Sequence, residues 1–308
     1  MNMTKITIFG AGKVGSTVMQ LAAYKNLGDI VIFNRTLDKA KGLALDLAES
    51  APVEGFDGTV TATNMYGDTD NSDVVIITAG IPRKEGMSRE ELLNTNAAIV
   101  KDIVEQSVQH SRRAFYIVVT NPLDAMAYVA YKTGNLKRTK IVGMAGTLDS
   151  SRFAYFISRE LDVSPSKVKA LVLGSHGDTM VPAVSCTTVN GKPLSKLLSP
   201  EKIAALVERT RNAGAEIISL AKDSAFYSTA SSVIQLVEPV VTGKKKTLPC
   251  SIYLDGEYAI NGAFVGVPAM LGRNGVEKIV QAPLNWDEQK DLKKCGEAVK
   301  ELMKQTGL

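Results

Sequence analysis

The N-terminal stretch Lys5-Ile6-Thr7-Ile8-Phe9-Gly10-Ala11-Gly12-Lys13-Val14-Gly15 leaves this chain few folds to choose from. An apolar strand runs straight into a Gly-x-Gly-x-x-Gly turn. Val14, Val18, Leu21 and Ala22 then recur at helical spacing. Gly10 permits the tight turn, Gly12 lets a pyrophosphate approach the backbone, and Gly15 allows close helix–strand contact. The helix start adds amide donors and a positive dipole end. A glycine triplet alone is a common turn; between a strand and a helix, opening a βαβ unit, it reads as a dinucleotide site. Gly10, Ala11, Gly12, Lys13, Val14 and Gly15 are its expected wall.

The second strand, Ile30-Val31-Ile32-Phe33, ends in Asn34-Arg35-Thr36. An NAD site normally places a carboxylate there to accept the ribose hydroxyls. The neutral Asn34 removes the charge that would repel a 2′-phosphate, and Arg35 can pair with that phosphate through its planar fork. We expect NADP in preference to NAD; the alternative is a solvated Arg35 with Asn34 still serving the ribose. A helix is expected over 36–49, then strands at Val60–Thr63 and Asp73–Thr78. Val74-Val75-Ile76-Ile77 is apolar on both faces, as a central parallel strand must be. Phe115–Val119 and Ile141–Gly143 continue the alternation.

From about residue 145 the pattern changes. A long helix runs to Leu161, Val168–Leu173 and Val181–Val189 read as strands, and helices are expected over 200–222 and 228–241. Leu248–Leu254, Glu257–Ile260 and Ala263–Val267 read as antiparallel strands turning at Asp255-Gly256 and Asn261-Gly262. Trp286–Lys304 closes the chain as an amphipathic helix. The expected fold is α/β: a Rossmann-type doubly wound parallel sheet over residues 1–144, followed by a mixed α+β substrate domain over 145–308.

Composition narrows the function classes. Thirty-six basic and thirty-two acidic residues are interspersed for a net charge of +4, and the only basic run, Lys244-Lys245-Lys246, reads as a solvated turn. Nucleic acid is therefore not an expected partner. Cys186, Cys250 and Cys295 are far apart and odd in number, which argues against a disulfide framework, and none has metal-site spacing. No apolar run reaches the roughly 20 residues that span a bilayer, and the first strand begins within a few residues of Met1. We expect a cytoplasmic protein without a membrane or metal partner.

Several residues then stand out for chemistry. The strand at Val168–Leu173 runs into Gly174-Ser175-His176-Gly177-Asp178, placing one of only two histidines at the end of a rigid element. A lone histidine is more often structural. Ala79-Gly80-Ile81-Pro82-Arg83-Lys84-Glu85-Gly86-Met87-Ser88-Arg89 leaves the carboxyl end of a central strand as a possible lid carrying Arg83 and Arg89. Ser88 and Glu91 form a capping box for the next helix. Exposed charge is the plainer reading of those arginines. Pro122 stops another strand and leaves Asn121 at its end. Asp149 and Arg152, three apart, share one helical face, as an ordinary ion pair would.

Five stretches in order, GAGKVG, AGIPRKEGMSR, TNPLD, GTLDSSR and GSHGD, resemble the lactate/malate dehydrogenase family from about Lys5 to the last helix. Gly266-Val267-Pro268, Leu271-Gly272 and Gly275-Val276-Glu277-Lys278-Ile279 are similar to that family as well. The resemblance implies reversible reduction of a 2-oxo acid by a nicotinamide cofactor, in a homodimer or homotetramer. It implies His176 as the acid/base and Asp149 as the carboxylate orienting it. Arg152 would be the bidentate partner of the substrate carboxylate, and Arg89 the lid cation polarising the carbonyl. Asn121 would bond the substrate, with Asn96 and Val119–Asn121 lining the nicotinamide side. Arg83 lies where malate-type members carry arginine and lactate-type members glutamine. It implies a second substrate carboxylate, since pyruvate would leave a desolvated cation unpaired. Lactate chemistry is the alternative. Two departures from the family pattern are Asn34-Arg35 and Asp223, where glycine is expected. More distant readings are an NAD-dependent glycosidase, whose metal would need cysteine and histidine donors, and a non-catalytic dinucleotide sensor.

Overall fold

The computed structural model describes residues 4–82 and 86–308. The first half alternates β1 (Lys5–Phe9), α1 (Lys13–Tyr24), β2 (Asp29–Phe33), α2 (Leu37–Glu49), the short α3 (Ala51–Glu54), β3 (Val60–Thr63), β4 (Val74–Ile77), α4 (Arg89–His110), β5 (Phe115–Val118), α5 (Leu123–Thr133) and β6 (Ile141–Gly143). The second half begins with α6 (Gly146–Glu160). Five two-residue strands follow: β7 (Val168–Lys169), β8 (Val172–Leu173), β9 (Val181–Pro182), β10 (Thr188–Val189) and β11 (Lys192–Pro193). Then come α7 (Pro200–Ala221), α8 (Tyr227–Thr242), β12 (Lys246–Asp255), β13 (Asn261–Gly272), β14 (Gly275–Ile279) and α9 (Trp286–Lys304).

Strands β3-β2-β1-β4-β5-β6 lie side by side in that order, all parallel. The order reverses between β1 and β4, and the crevice outside their carboxyl ends is where such sheets bind ligands. The strands are apolar on both faces because helices cover both. Ile6, Ile8, Val74, Ile76 and Ile117 pack with Val18 of α1 and Val233 and Val237 of α8. Val75, Ile77, Tyr116 and Val118 pack with Leu93 and Val104 of α4 and Met126 of α5. Each buried aliphatic side chain contributes about 1.5–3 kcal/mol, and this burial holds the sheet that sets the crevice.

The sheet continues into the second half. Ser251 of β12 pairs antiparallel with Gly143 of β6, and β13 and β14 extend it to nine strands. The doubly wound sheet and mixed second half are as expected, but three second-half elements differ from the sequence pattern. The 168–173 run is split, because Val168–Lys169 pairs with β10 while Val172–Leu173 pairs with β9. The 181–189 run is broken by a 3₁₀ turn at Val184–Cys186. Glu257–Ala259 is a 3₁₀ turn and not a strand; Glu257 is drawn off the ladder by Arg138 at 3.0 Å and the Asp255 amide at 2.8 Å.

Candidate active site

The glycine turn comes first because backbone alone builds it. Gly10 adopts φ +113°, and a Cβ on Gly15 would stand 1.9 Å from the Gly10 carbonyl oxygen, so both positions exclude a side chain. A Cβ on Gly12 would meet no protein atom within 4 Å. Gly12 caps α1 without any side-chain bond, and the first turn carries no acidic residue. The start of α1 is thus an open, positively polarised cradle, which fits a pyrophosphate. Thr78, directly after β4, supports it, its hydroxyl 3.1 Å from the carbonyls of Phe9 and Gly10.

Two cavities flank this cradle and share Gly12, Thr78, Gly80 and Ile81 on their walls. The larger, of about 670 Å³, is lined by Gly10, Ala11, Phe33, Asn34, Arg35, Lys39 and Tyr66 among others. Asn34 is held at its edge: its Oδ1 accepts from the Ala11 amide at 3.2 Å and its Nδ2 donates to the Thr36 carbonyl at 3.0 Å. Arg35 and Lys39 are exposed beside it. Tyr66 packs against Phe33 with the rings tilted and their centres 4.6 Å apart, and burial pushes its phenol up to about 12.

The second cavity, of about 460 Å³, gathers residues from both halves. Gly12, Lys13, Val14, Gly15, Val119 and Asn121 come from the first; Arg152, His176, Asp223 and Phe226 from the second. His176 follows β8 on a turn that Gly174 fastens to Gly266 of β13 through two backbone bonds of 2.8 and 2.9 Å. Its Nδ1 lies 2.9 Å from Asp149 Oδ2, leaving Nε2 free of that contact. Asp149 is 1% exposed, and its other oxygen stands 3.5 Å from the Arg152 guanidinium, too far for a hydrogen bond. Asp149 Oδ1 and Arg152 Nε are both buried without a hydrogen-bond partner. An unpaired buried guanidinium edge costs free energy unless a ligand carboxylate supplies the acceptor. The Asp149 carboxylate holds His176 above its ordinary value, against the opposing effect of burial. Burial lowers Arg152 from its usual range, and Asp149 opposes that shift.

Not every residue marked in the sequence arrives here. Asn96 is 1% exposed, and its amide is spent on Ile81 at 2.8 and 3.1 Å and on the Asn121 carbonyl at 2.7 Å. It therefore braces the wall behind the cavity and offers no free donor to a cofactor. Arg89 is the first residue of α4, behind the expected Ser88–Glu91 capping box, and its side chain is 85% exposed. It stands 3.9 Å from the exposed Asp178 and does not line the cavity. Arg83 lies outside the described residues. Asp223 does reach the cavity, where its carboxylate pairs with Lys13 across the mouth. Asp124 was visible in the sequence only as part of TNPLD, and the structure sets it directly beneath His176.

Comparison with known proteins follows the same division. Residues 4–143 match the lactate/malate dehydrogenase NAD-binding domain, and residues 146–307 match the alpha/beta C-terminal domain of that family. The chain belongs to the lactate/malate dehydrogenase family. Among its relatives, the malate dehydrogenase of Rhodopirellula baltica is 46% identical over 306 residues, spanning 98% of this chain and 97% of that one. The crystal structure of Cryptosporidium parvum malate dehydrogenase superposes with a TM-score of 0.96 at 39% identity, covering 100% of this chain and 99% of that one. The lactate dehydrogenase of the same organism, complexed with lactic acid and the NAD cofactor, has a TM-score of 0.96 at 37% identity, covering 100% and 99%. As a member of this family, the chain is an oxidoreductase with an NAD-binding domain.

Proposed function

We propose that this chain is a malate dehydrogenase, interconverting oxaloacetate and (S)-malate. The observation that carries the reading is the meeting of His176, Asp149 and Arg152 in one cavity with the open start of α1. The names of its relatives support malate as the substrate, and a lactate dehydrogenase among its structural neighbours keeps pyruvate as the second reading. When bound, the nicotinamide cofactor supplies or accepts the hydride at the substrate's C2. His176 Nε2 gives its proton to the C2 oxygen in reduction and takes it back in oxidation. Asp149 fixes the tautomer by holding Nδ1 and offsets the charge of the imidazolium. Arg152 binds the C1 carboxylate through the donors that lack a protein partner. Asn121, which lines the same cavity, donates to the substrate. Arg89, which stands outside the cavity here, is the cation assigned to the carbonyl oxygen, and Arg83 the one assigned to the second carboxylate.

On this reading residues 1–144 hold the cofactor and residues 145–308 carry the proton-transfer group. NAD is the cofactor that the family and the neighbouring complex support; the preference for NADP expected from Asn34-Arg35 finds no support among them. Acceptance of NADP rests on the neutral Asn34 and on Arg35 and Lys39 lining one wall. A homodimer or homotetramer rests on the family resemblance. Among the described residues no helix is long and apolar enough to cross a membrane. The cytoplasmic location is proposed from the three free cysteines, Cys186, Cys250 and Cys295.

The test is steady-state reduction of oxaloacetate and of pyruvate, each with NADH and NADPH. Oxaloacetate should be preferred by a factor on the order of 1,000 in kcat/KM, with Arg83→Gln narrowing that gap. A pyruvate preference would overturn the malate assignment. A higher kcat/KM with NADPH would assign Arg35 to the 2′-phosphate.

A further inference from the structure

We propose that Asp124 is a positioning residue for the proposed proton-transfer group, clamping the backbone of His176 and lending the imidazole a second negative charge beside Asp149. The proposal rests on the reading of His176 as the acid/base and goes beyond it.

Asp124 stands in the first turn of α5, three residues after Asn121, and is 4% exposed. Its two oxygens serve two different elements. Oδ2 accepts from the His176 backbone amide at 3.3 Å. Oδ1 accepts from the Ser251 hydroxyl at 2.6 Å. Ser251 is itself the residue that pairs β12 with Gly143 of β6. One carboxyl therefore ties the proton-transfer turn to the parallel sheet and to the seam through which the second half joins it. The turn is secured next door as well, where the Ser175 amide donates to Cys295 Sγ on α9 at 2.9 Å. Two consecutive amides are held by side chains from two helices, so the position of the imidazole does not depend on the short strand β8 alone.

A carboxylic acid chosen only for this geometry would be an expensive choice, because an amide side chain offers similar bonds without charge. Burial pushes the Asp124 carboxyl up to about 6, while the Ser251 hydroxyl and His176 draw it down. Asp124 and four further ionisable groups form one cluster here. Asp149 comes from α6, His176 from the turn, the buried Cys295 thiol from α9, and Arg152 lies on the far side of Asp149. Asp149 raises His176 most, and Asp124 acts in the same direction. Once ionised, Asp124 carries a charge that helps retain the proton on His176. Asp124 and His176 titrate as a coupled pair. Asp149 fixes the ring, and Asp124 fixes the backbone beneath it.

Imidazole titration by nuclear magnetic resonance tests this without substrate. The chain contains only two histidines, and His110→Gln leaves the His176 signal alone. In that background Asp124→Asn should lower the His176 pKa by roughly half a unit to one unit. With substrate, the acid limb of malate oxidation should move down by the same amount, and kcat should fall more than KM changes. Should Asp124→Asn fail to fold, Ser251→Ala serves. Losing the hydroxyl keeps Asp124 protonated to higher pH, so His176 should shift in the same direction by less. A His176 titration unmoved to within about 0.2 unit in the variant that folds overturns the proposal. That result leaves the role of His176 intact, because the role itself fails only if His176→Asn retains turnover.

Discussion

On the α1 side the groove is walled by main chain: Gly10 and Gly15 meet with no room for a Cβ, and Gly12 presents bare amides to open space. On the α6 side it is walled by charge: His176, Asp149 and Arg152 are brought together on two elements, with one oxygen and one nitrogen left without a hydrogen-bond partner. The first wall can recognise a pyrophosphate through shape and the helix dipole, at little electrostatic cost to the empty protein. The second holds ionised groups in a place where their solvation is poor, and part of that cost remains until a ligand completes the set. The two walls thus differ physically as well as in sequence, and substitutions on them should fail in different ways.

The largest effects belong to the charged wall. His176→Asn should lower kcat between about 100- and 10,000-fold while leaving NADH binding, read by its fluorescence, unchanged. Asp149→Asn should also slow turnover, and its pH profile is the sharper test. The Asp149 carboxylate raises His176, so malate oxidation, which needs the neutral ring, should rise with pH through an inflection above the ordinary histidine value. The same shift contributes stability that is fully present below that ordinary value and fades as pH climbs through the raised one. In Asp149→Asn the inflection should move down. An unmoved inflection would mean that the ring's proton affinity is set elsewhere.

The backbone wall predicts a split between two glycines three residues apart. Gly15→Ala forces a Cβ against the Gly10 carbonyl, main chain against main chain, and should cost about 3 kcal/mol in unfolding free energy. Gly12→Ala meets no protein atom, and its φ of −83° suits alanine, so the melting temperature without cofactor should hold. Its cofactor affinity should fall by at least about tenfold, because the methyl occupies the space left for the pyrophosphate. Equal losses of stability in the two variants would erase the distinction between the walls.

Legibility in the sequence followed the same line. The strand–glycine–helix signature and the apolar strands report local backbone geometry, which residue type and period encode directly. The capping box at Ser88 and the Trp286–Lys304 helix were legible for the same reason. The short strands between Val168 and Pro193 were not, because their partners, not their own composition, decide where each begins. The bracing role of Asn96 was hidden too: its partners, Ile81 and Asn121, lie 15 and 25 residues away. Asp124 stood in a legible motif, yet its partners, the His176 amide and the Ser251 hydroxyl, lie 52 and 127 residues on.

The smallest effect is expected where the two walls touch. Lys13 at the start of α1 pairs with Asp223 in the segment after α7, and the Lys13 ammonium also lies 5.7 Å from the Phe226 ring centre. The hydrogen bond from Lys13 holds the Asp223 carboxyl below its usual range, so it remains ionised at the mouth of the cavity. Both side chains are well exposed, at 61% and 40%, so water and salt screen the pair. Asp223→Gly, the residue expected of the family, removes a negative charge from the approach of an anionic cofactor and frees Lys13 to face the pyrophosphate. NADH should bind more tightly at low ionic strength, by no more than about fivefold, with the advantage vanishing in high salt. Weaker binding at low salt would reverse the assignment: Asp223 would then serve to hold Lys13 in place for the cofactor, and the seam between the walls would be part of the binding site.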